Sequence, residues 1–434
     1  MKVRKHLLAI LLGGIALSCS KHDDNSIELK GEATWVTLSL GKTKTYGSSS
    51  GNSTAEEKKI NTVDIYLFTP DAILANSKLE KYIHFGTPEI NASITPAFQT
   101  TTAAKYMVVL VNAPTAHISN INSGVNLDLN DNNRLTLGKL LPDGIYGNIT
   151  LTNAADFSSY ANNINGGNFM MINENPTTLV TFPLQHDMGA LSPITINVER
   201  IVSKVIVWYS ASTSLTFGNA NDGVSTNVIS AKIWLDNTNM LSYIILKVTT
   251  EIEDPNFENY NVNNFLALGD ADFSNVSPTT LALDGNASNP LYCFENTIKQ
   301  DYSVSPKVYA FEDNTTNLIL QLQLNGGTTF YMTKKGELTT NFTHVDGIQY
   351  TYVNGYCYYR IYLKRPSVTI PGSSEDAYGM LRNRLYDVTI NSIGSIGSHR
   401  IAPLQSQPIL TANLLNVDIY VKDWVVQSNV IDIP

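Results

Sequence analysis

The chain has 434 residues, 29 basic against 38 acidic, and a formal charge of −9. Charged residues reach only 15%, below the roughly 25% usual in soluble domains, and 22 tyrosines with many Asn and Thr supply the polarity instead. Such a composition excludes a nucleic-acid partner, because those proteins gather Lys and Arg on one face.

At the start, MKVRKHLLAILLGGIALS places Lys2, Arg4 and Lys5 ahead of an apolar run from Leu7 to Leu17. That is the layout of a secretory signal over residues 1–18. The run is too short to span a bilayer as a stable helix. Ala16-Leu17-Ser18-Cys19 resembles the lipobox of bacterial lipoproteins, in which the signal is cut before the cysteine. The resemblance implies that Cys19 is acylated and holds the precursor on a membrane, each buried methylene contributing about 0.8 kcal/mol. Residues 19–30 read as a polar tether.

Thr34–Leu40, TWVTLSL, then alternates as a strand does. Lys42–Lys59 is a low-complexity loop without apolar periodicity. Ile60–Phe68 is the next strand, stopped by Thr69-Pro70. Further strands are expected at Tyr106–Val111, Thr178–Leu184, Ile194–Val198, Val205–Tyr209, Val228–Leu235 and Ser242–Thr249. Later ones fall at Leu318–Leu324, Tyr356–Leu363, Tyr386–Ile393 and Leu415–Val426. One short helix is expected within Asn153–Asn163. Gly189 and Pro193 interrupt the strand-rich pattern, which places an N-terminal domain at 31–191 and a C-terminal one at 192–434. The expected fold is all-β, two antiparallel β-sandwich domains in tandem.

Motifs that carry chemistry are scarce. No HExxH, P-loop or GxGxxG pattern occurs. Ser39-Leu-Gly-Lys42 has SxxK spacing, but a strand end beside a loop is the wrong setting for a nucleophile. His84, His117, His186, His344 and His399 are scattered and read as turn or surface residues. Asp128–Asn133 lacks the glycine and terminal glutamate of a calcium loop and reads as a polar turn. Tyr356-Cys-Tyr-Tyr359 suggests a carbohydrate platform, yet strand alternation turns half of those rings inward. An oxidising compartment would allow Cys293 and Cys357 to pair, and the sequence leaves that pairing open. No enzyme activity, metal or cofactor is expected.

Several segments carry a resemblance. Asn289–Thr297, NPLYCFENT, and Gly355–Tyr362, GYCYYRIY, resemble an element of the fimbrillins, the pilin-like lipoproteins of Bacteroidales-type (type V) pili. Leu381–Ile393, LRNRLYDVTINSI, looks like their RN..Y.V.I..I signature. Val198–Lys204 resembles the strand opening their second domain, and Leu415–Val426 their terminal strand. The resemblance implies two transthyretin-like sandwiches and a structural protein that homo-polymerises outside the cell with accessory fimbrial subunits. It also implies a lipidated precursor on the outer membrane, from which a surface trypsin-like protease removes the first strand. Another subunit's terminal strand then fills the groove.

Carried onto this chain, Thr34–Leu40 is the strand removed, Lys42–Lys59 the cleavable loop and Ile60–Phe68 the first strand retained. The family's best-known members are cut after arginine, but no Arg lies between Arg4 and Arg134. The candidate cut sites are therefore Lys42, Lys44, Lys58 and Lys59, with Lys58-Lys59 favoured. Leu415, Val417, Ile419 and Val421 alternate to one side of the donor strand, and Asn416, Asp418, Tyr420 and Lys422 to the other. The expected role is a shaft subunit. The alternatives are an anchor subunit, or an outer-membrane lipoprotein that binds glycan or host matrix without polymerising.

Overall fold

The computed structural model describes residues 31–41, 50–51, 54–87, 89–90, 93–123, 134–151, 159–162, 168–188, 191–249, 251–257, 261–266, 278–369, 376–409 and 415–424. Cys19, Lys42, Lys44, the turn at Asp128–Asn133 and the last two residues of the expected donor strand lie outside them.

Thr62–Thr69 is buried along nearly its whole length, Asp64 included, because both its faces are covered. It sits inside the first sheet, between Lys105–Val111 and Lys78–Gly86. The sheet continues from Lys105–Val111 through Met171–Asn173 and Ile194–Arg200 to Leu38–Gly41. Ala33–Val36 pairs separately with Phe98–Thr101, and Val36 and Phe98 join the same core as Ile65, Val109 and Ile172. Ile194–Arg200 thus belongs to the first sheet, although its position after Gly189 and Pro193 suggested the start of a second domain. The chain passes over at Ile201, and Val202–Tyr209 enters the second body.

There, one sheet runs Leu291–Phe294, Val202–Tyr209, Arg384–Ile393, Leu415–Trp424 and Ser50–Gly51. A second runs Thr279–Leu281, Ser230–Asp236, Asn317–Gln323 and Tyr356–Tyr362. Val205, Val207, Val388 and Ile390 from one sheet share a core with Ile233, Leu320 and Leu322 from the other, which is sandwich packing. A further four-stranded sheet, ordered Asn221–Asp222, Leu338–Thr339, Phe330–Thr333 and Ile348–Tyr352, adds to the second half.

The architecture is all-β and multi-sheet, but its pairing is mixed where antiparallel sheets were expected. Val202–Tyr209 runs parallel to Arg384–Ile393, and Leu38–Gly41 parallel to Ile194–Arg200. Parallel neighbours require long crossovers, and these pairs join segments far apart in sequence. Cys293 and Cys357 are free and buried, so the pairing left open by the sequence is not made. Burial pushes each thiol up to about 12, and both pack as small apolar side chains.

The one α-helix among the described residues is Thr115–Ser123, which sequence reading missed. Its Asn and Ser content is poor for helix, and only His117 and Ile121, one turn apart, are buried, with Ile118 partly buried against the core. Of the expected helix at Asn153–Asn163, the described part includes the short strand Ala161–Asn162.

Val36, Leu38 and Leu40 are all buried in the first core. Leu38→Ala is expected to lower the unfolding free energy of the uncut chain by about 2–5 kcal/mol. A fall in the urea midpoint at constant slope measures it; an unchanged midpoint would show that this strand carries none of the fold's stability.

Candidate functional site

The first strand occupies a slot with two hydrogen-bonding edges. Along Ala33–Val36 one side pairs with Phe98–Thr101. On the other, Trp35 N–H donates to the Gln185 carbonyl at 3.0 Å and Thr34 Oγ1 to the Pro183 carbonyl at 2.7 Å. Along Leu38–Gly41 one side is the parallel ladder with Ile194–Asn197. Opposite it, Leu40 N–H donates to the Ser93 carbonyl and Thr95 N–H to the Leu38 carbonyl, both at 2.9 Å. Thr34, Val36, Leu38 and Leu40 point inward at alternate positions and are fully buried. Removing this segment would open a slot with an apolar floor and unpaired backbone groups on both walls, the arrangement a strand from another chain can complete.

The last strand, Leu415–Trp424, lies antiparallel on Arg384–Ile393 in its own half. Leu415, Val417, Ile419 and Val421 face the second core but are only half buried, while Asn416, Asp418 and Tyr420 are exposed. Leu415, Val417 and Ile419 line a cleft of about 440 Å³ with Tyr358, Tyr359 and Arg400. The alternation is the one the sequence shows. Packing tightens at the far end, where Asp423 and Trp424 are buried.

That end meets the segment just before the first retained strand. Ser50–Gly51 pairs with Asp423 and Trp424 as a short parallel edge. Thr54 and Glu57 exchange reciprocal bonds, Thr54 N–H to Glu57 Oε2 at 2.8 Å and Glu57 N–H to Thr54 Oγ1 at 3.2 Å. This is capping-box geometry, and it opens the single 3-10 turn Glu56–Lys58. The Glu57 side chain is completely buried. Lys204 Nζ lies 2.8 Å from its Oε1, the Tyr292 hydroxyl donates to Oε1 at 2.5 Å, and Trp424 Nε1 donates to Oε2 at 3.2 Å.

Arg200 closes the cluster. Its two terminal nitrogens donate to the Trp424 carbonyl at 2.9 Å and the Glu57 carbonyl at 2.7 Å, and its guanidinium lies 4.0 Å over the Trp424 ring. Tyr292 stacks on that ring at 5.7 Å and Phe169 meets it edge-on at 5.6 Å.

Burial works to raise the Glu57 carboxyl. The Lys204 charge and the bonds from Lys204, Tyr292 and Thr54 outweigh it and hold the group below its ordinary value of 4.5. Burial lowers Lys204 and raises Tyr292.

The segments quoted from the sequence as a family signature build the frame around this cluster. Asn383 adopts φ 55°, which Asn tolerates better than most residues. It accepts from Arg200 N–H at 3.3 Å, donates its own N–H to the Val202 carbonyl at 2.8 Å and takes Trp424 N–H on its carbonyl at 3.2 Å. Arg384 pairs with Asp423, and buried Arg382 pairs with buried Glu295.

The remaining sequence candidates are dispersed. Lys58 is half buried and Lys59 exposed; the Lys59 carbonyl accepts from Asn112 Nδ2 at 2.8 Å. Ser39 lies in the slot strand beside Thr195. Tyr356–Tyr359 alternates as expected, with Cys357 and Tyr359 inward. His117 is buried, which lowers it to about 4, and His84 bonds Asp64 at 2.8 Å. Folding brings Glu337, His344 and Asp346 together with ligand atoms within 4.8 Å, but Lys335 already pairs with Asp346 at 2.6 Å.

A family model described as major fimbrial subunit protein (FimA) matches residues 34–182. Another, described as major fimbrial subunit protein type IV, fimbrillin, C-terminal, matches residues 350–430. Together they span just over half of the chain. No curated protein matches. Among solved structures, a putative cell adhesion protein from Parabacteroides distasonis is 15% identical at TM-score 0.49, over 91% of this chain and 99% of that one. The tip fimbrial protein Mfa3 from Porphyromonas gingivalis is 12% identical at TM-score 0.44, over 90% and 100%. Both TM-scores are below 0.5, and no functional conclusion rests on these likenesses.

Breaking a buried ion pair by truncating one partner costs about 3–5 kcal/mol, and Glu57→Ala is expected to do so. The pH dependence has a definite sign. A carboxyl held below its ordinary value stabilises the fold above that value, and the contribution disappears as the pH falls through the folded-state pKa. Thermal melts should therefore show the wild-type Tm converging on that of Glu57→Gln in acid, and a gap that persists undiminished would contradict the assignment.

Proposed function

We propose that this chain, which belongs to the fimbrillin family and is a structural subunit of a cell-surface fimbria, assembles by giving up its first strand and accepting the last strand of another copy. It acts mechanically and not as an enzyme, and the family places it at the outer membrane and cell surface. The observation that carries the assembly reading is the two-edged slot filled by Thr34–Leu40. A strand gripped on both edges, yet connected to the body through one loop, becomes a replaceable part once that loop is severed.

The finer reading has several parts. Cys19 is the acylated residue of a lipoprotein precursor whose signal peptide is residues 1–18. The two halves are transthyretin-like sandwiches, with the first ending near Ile201. A trypsin-like surface protease cuts at one of Lys42, Lys44, Lys58 and Lys59. Leu415, Val417, Ile419 and Val421 then fill the positions left by Thr34, Val36, Leu38 and Leu40 in the next subunit. Both sets present four inward positions at a spacing of two, and this match supports the pairing. Accessory fimbrial subunits cap or anchor the polymer.

The absence of arginine between Arg4 and Arg134 favours an anchor subunit as the second reading, with lipid and first strand both kept. N-terminal sequencing of the surface form separates them, since a shaft subunit begins just after one of the candidate lysines, at Thr43, Thr45, Lys59 or Ile60, and an anchor begins at acylated Cys19. A peptide spanning Leu415–Val426 should block polymerisation of severed subunits. The Ile419→Asp peptide should fail to do so, because it would bury a charge. Equal inhibition by both peptides would sink the strand-exchange reading.

A further inference from the structure

We infer that Glu57 is a latch holding the last strand in its own subunit, and that only a cut on the C-terminal side of Glu57 releases it. The inference rests on the strand-exchange reading above and adds to it the regulation of the same site.

Three contacts tie the 50–59 segment to the end of the last strand. Ser50–Gly51 covers its outer edge at Asp423 and Trp424. The Glu57 carboxylate accepts from Trp424 Nε1. Arg200 bridges the Glu57 and Trp424 carbonyls. Among the described residues, the rest of that outer edge, Leu415–Lys422, has no strand paired with it, and its inward side chains are half buried. The grip on the strand, apart from its ladder with Arg384–Ile393, is therefore concentrated where Trp424 is held.

The candidate cut sites differ in what they leave behind. A cut after Lys42 or Lys44 severs the first strand but leaves Ser50–Gly51 and Glu57 on the retained chain, so the Trp424 socket stays whole. A cut after Lys58 or Lys59 takes both away with the first strand. Lys204 then loses the carboxylate 2.8 Å from its ammonium, Tyr292 and Trp424 lose their acceptor, and the outer edge of the last strand is bare. A single hydrolysis after Glu57 thus opens the slot that receives a strand and frees the strand to be donated. Until it happens, a precursor neither accepts nor donates.

The test uses the full precursor in two variants, each treated under native conditions with a lysine-specific protease and freed of its fragment in mild denaturant. Lys58→Gln with Lys59→Gln restricts loop cutting to sites before Glu57, and Lys42→Gln with Lys44→Gln restricts it to sites after. Hydrogen exchange at residues 415–424 should stay at the uncut rate in the first. In the second it should rise by at least about tenfold. Uncut Glu57→Ala should raise exchange there by a larger factor than at Thr62–Thr69 and Ser230–Asp236, core strands whose exchange registers its global loss of stability. Equal exchange in the two cut forms overturns the latch, and so does uniform acceleration across Glu57→Ala. Fast exchange at 415–424 in a cut form that never polymerises upholds the latch and removes the assembly reading instead.

Discussion

A carboxylate without access to water must find its charge partner inside the protein, and Glu57 finds its partners on the other half of the molecule. Apart from the Thr54 N–H, its hydrogen bonds come from Lys204, Tyr292 and Trp424, residues of three different strands in the second body. Taking charges out of water is so costly that such a site persists only when nearly every lone pair is satisfied. The requirement reaches outward. Lys204 must sit at the start of its strand, Asn383 must turn left-handed to receive Arg200 and Trp424, and Arg382 and Arg384 must be neutralised by Glu295 and Asp423. The second half consequently contributes to the first core, where Phe294, Leu385 and Trp424 pack among first-half residues.

Much of this was legible along the chain, and the reasons differ by element. Thr34–Leu40 and Leu415–Trp424 have period-two patterns with one face turned inward, and alternation reports that directly, whereas Ile60–Phe68 is buried on both faces and was legible from its content and its stop at Thr69-Pro70. Lys78–Gly86 was missed because KLEKYIHFG carries charges at positions that are exposed or only half covered. The placement of Ile194–Arg200 in the first sheet was not readable at all, since Gly and Pro mark a break in the chain and not the sheet that the next strand joins.

The junction was half readable. Thr54-Ala-Glu-Glu57 has capping-box spacing and sat unread inside a stretch whose serines and glycines look like plain loop. Its partners could not be found by any local rule, because Glu57 and Trp424 are joined only by folding. The signature residues Glu295, Arg382 and Asn383 pointed to a family, while their physical task, holding a buried polar junction together, became visible only in three dimensions.

Exchange also has a thermodynamic direction in this reading. In its own subunit the last strand is hydrogen-bonded along one edge and, at the described residues, barely along the other. Its four inward aliphatic side chains are half exposed, three of them to a cleft. The slot offers a ladder on one edge of each segment, individual backbone bonds on the other, and positions that are fully buried. Covering the remaining half of each side chain contributes about 0.8–1.5 kcal/mol, and satisfying a second edge adds the net worth of several backbone bonds at about 1 kcal/mol each. Against these gains stand the lost ladder with Arg384–Ile393 and the emptied Trp424 socket. While Glu57 is present the socket opposes exchange, because leaving it strands a buried ion pair beside a hole. Once Glu57 is gone the same pocket holds buried cations without that carboxylate, and the balance tips toward the slot.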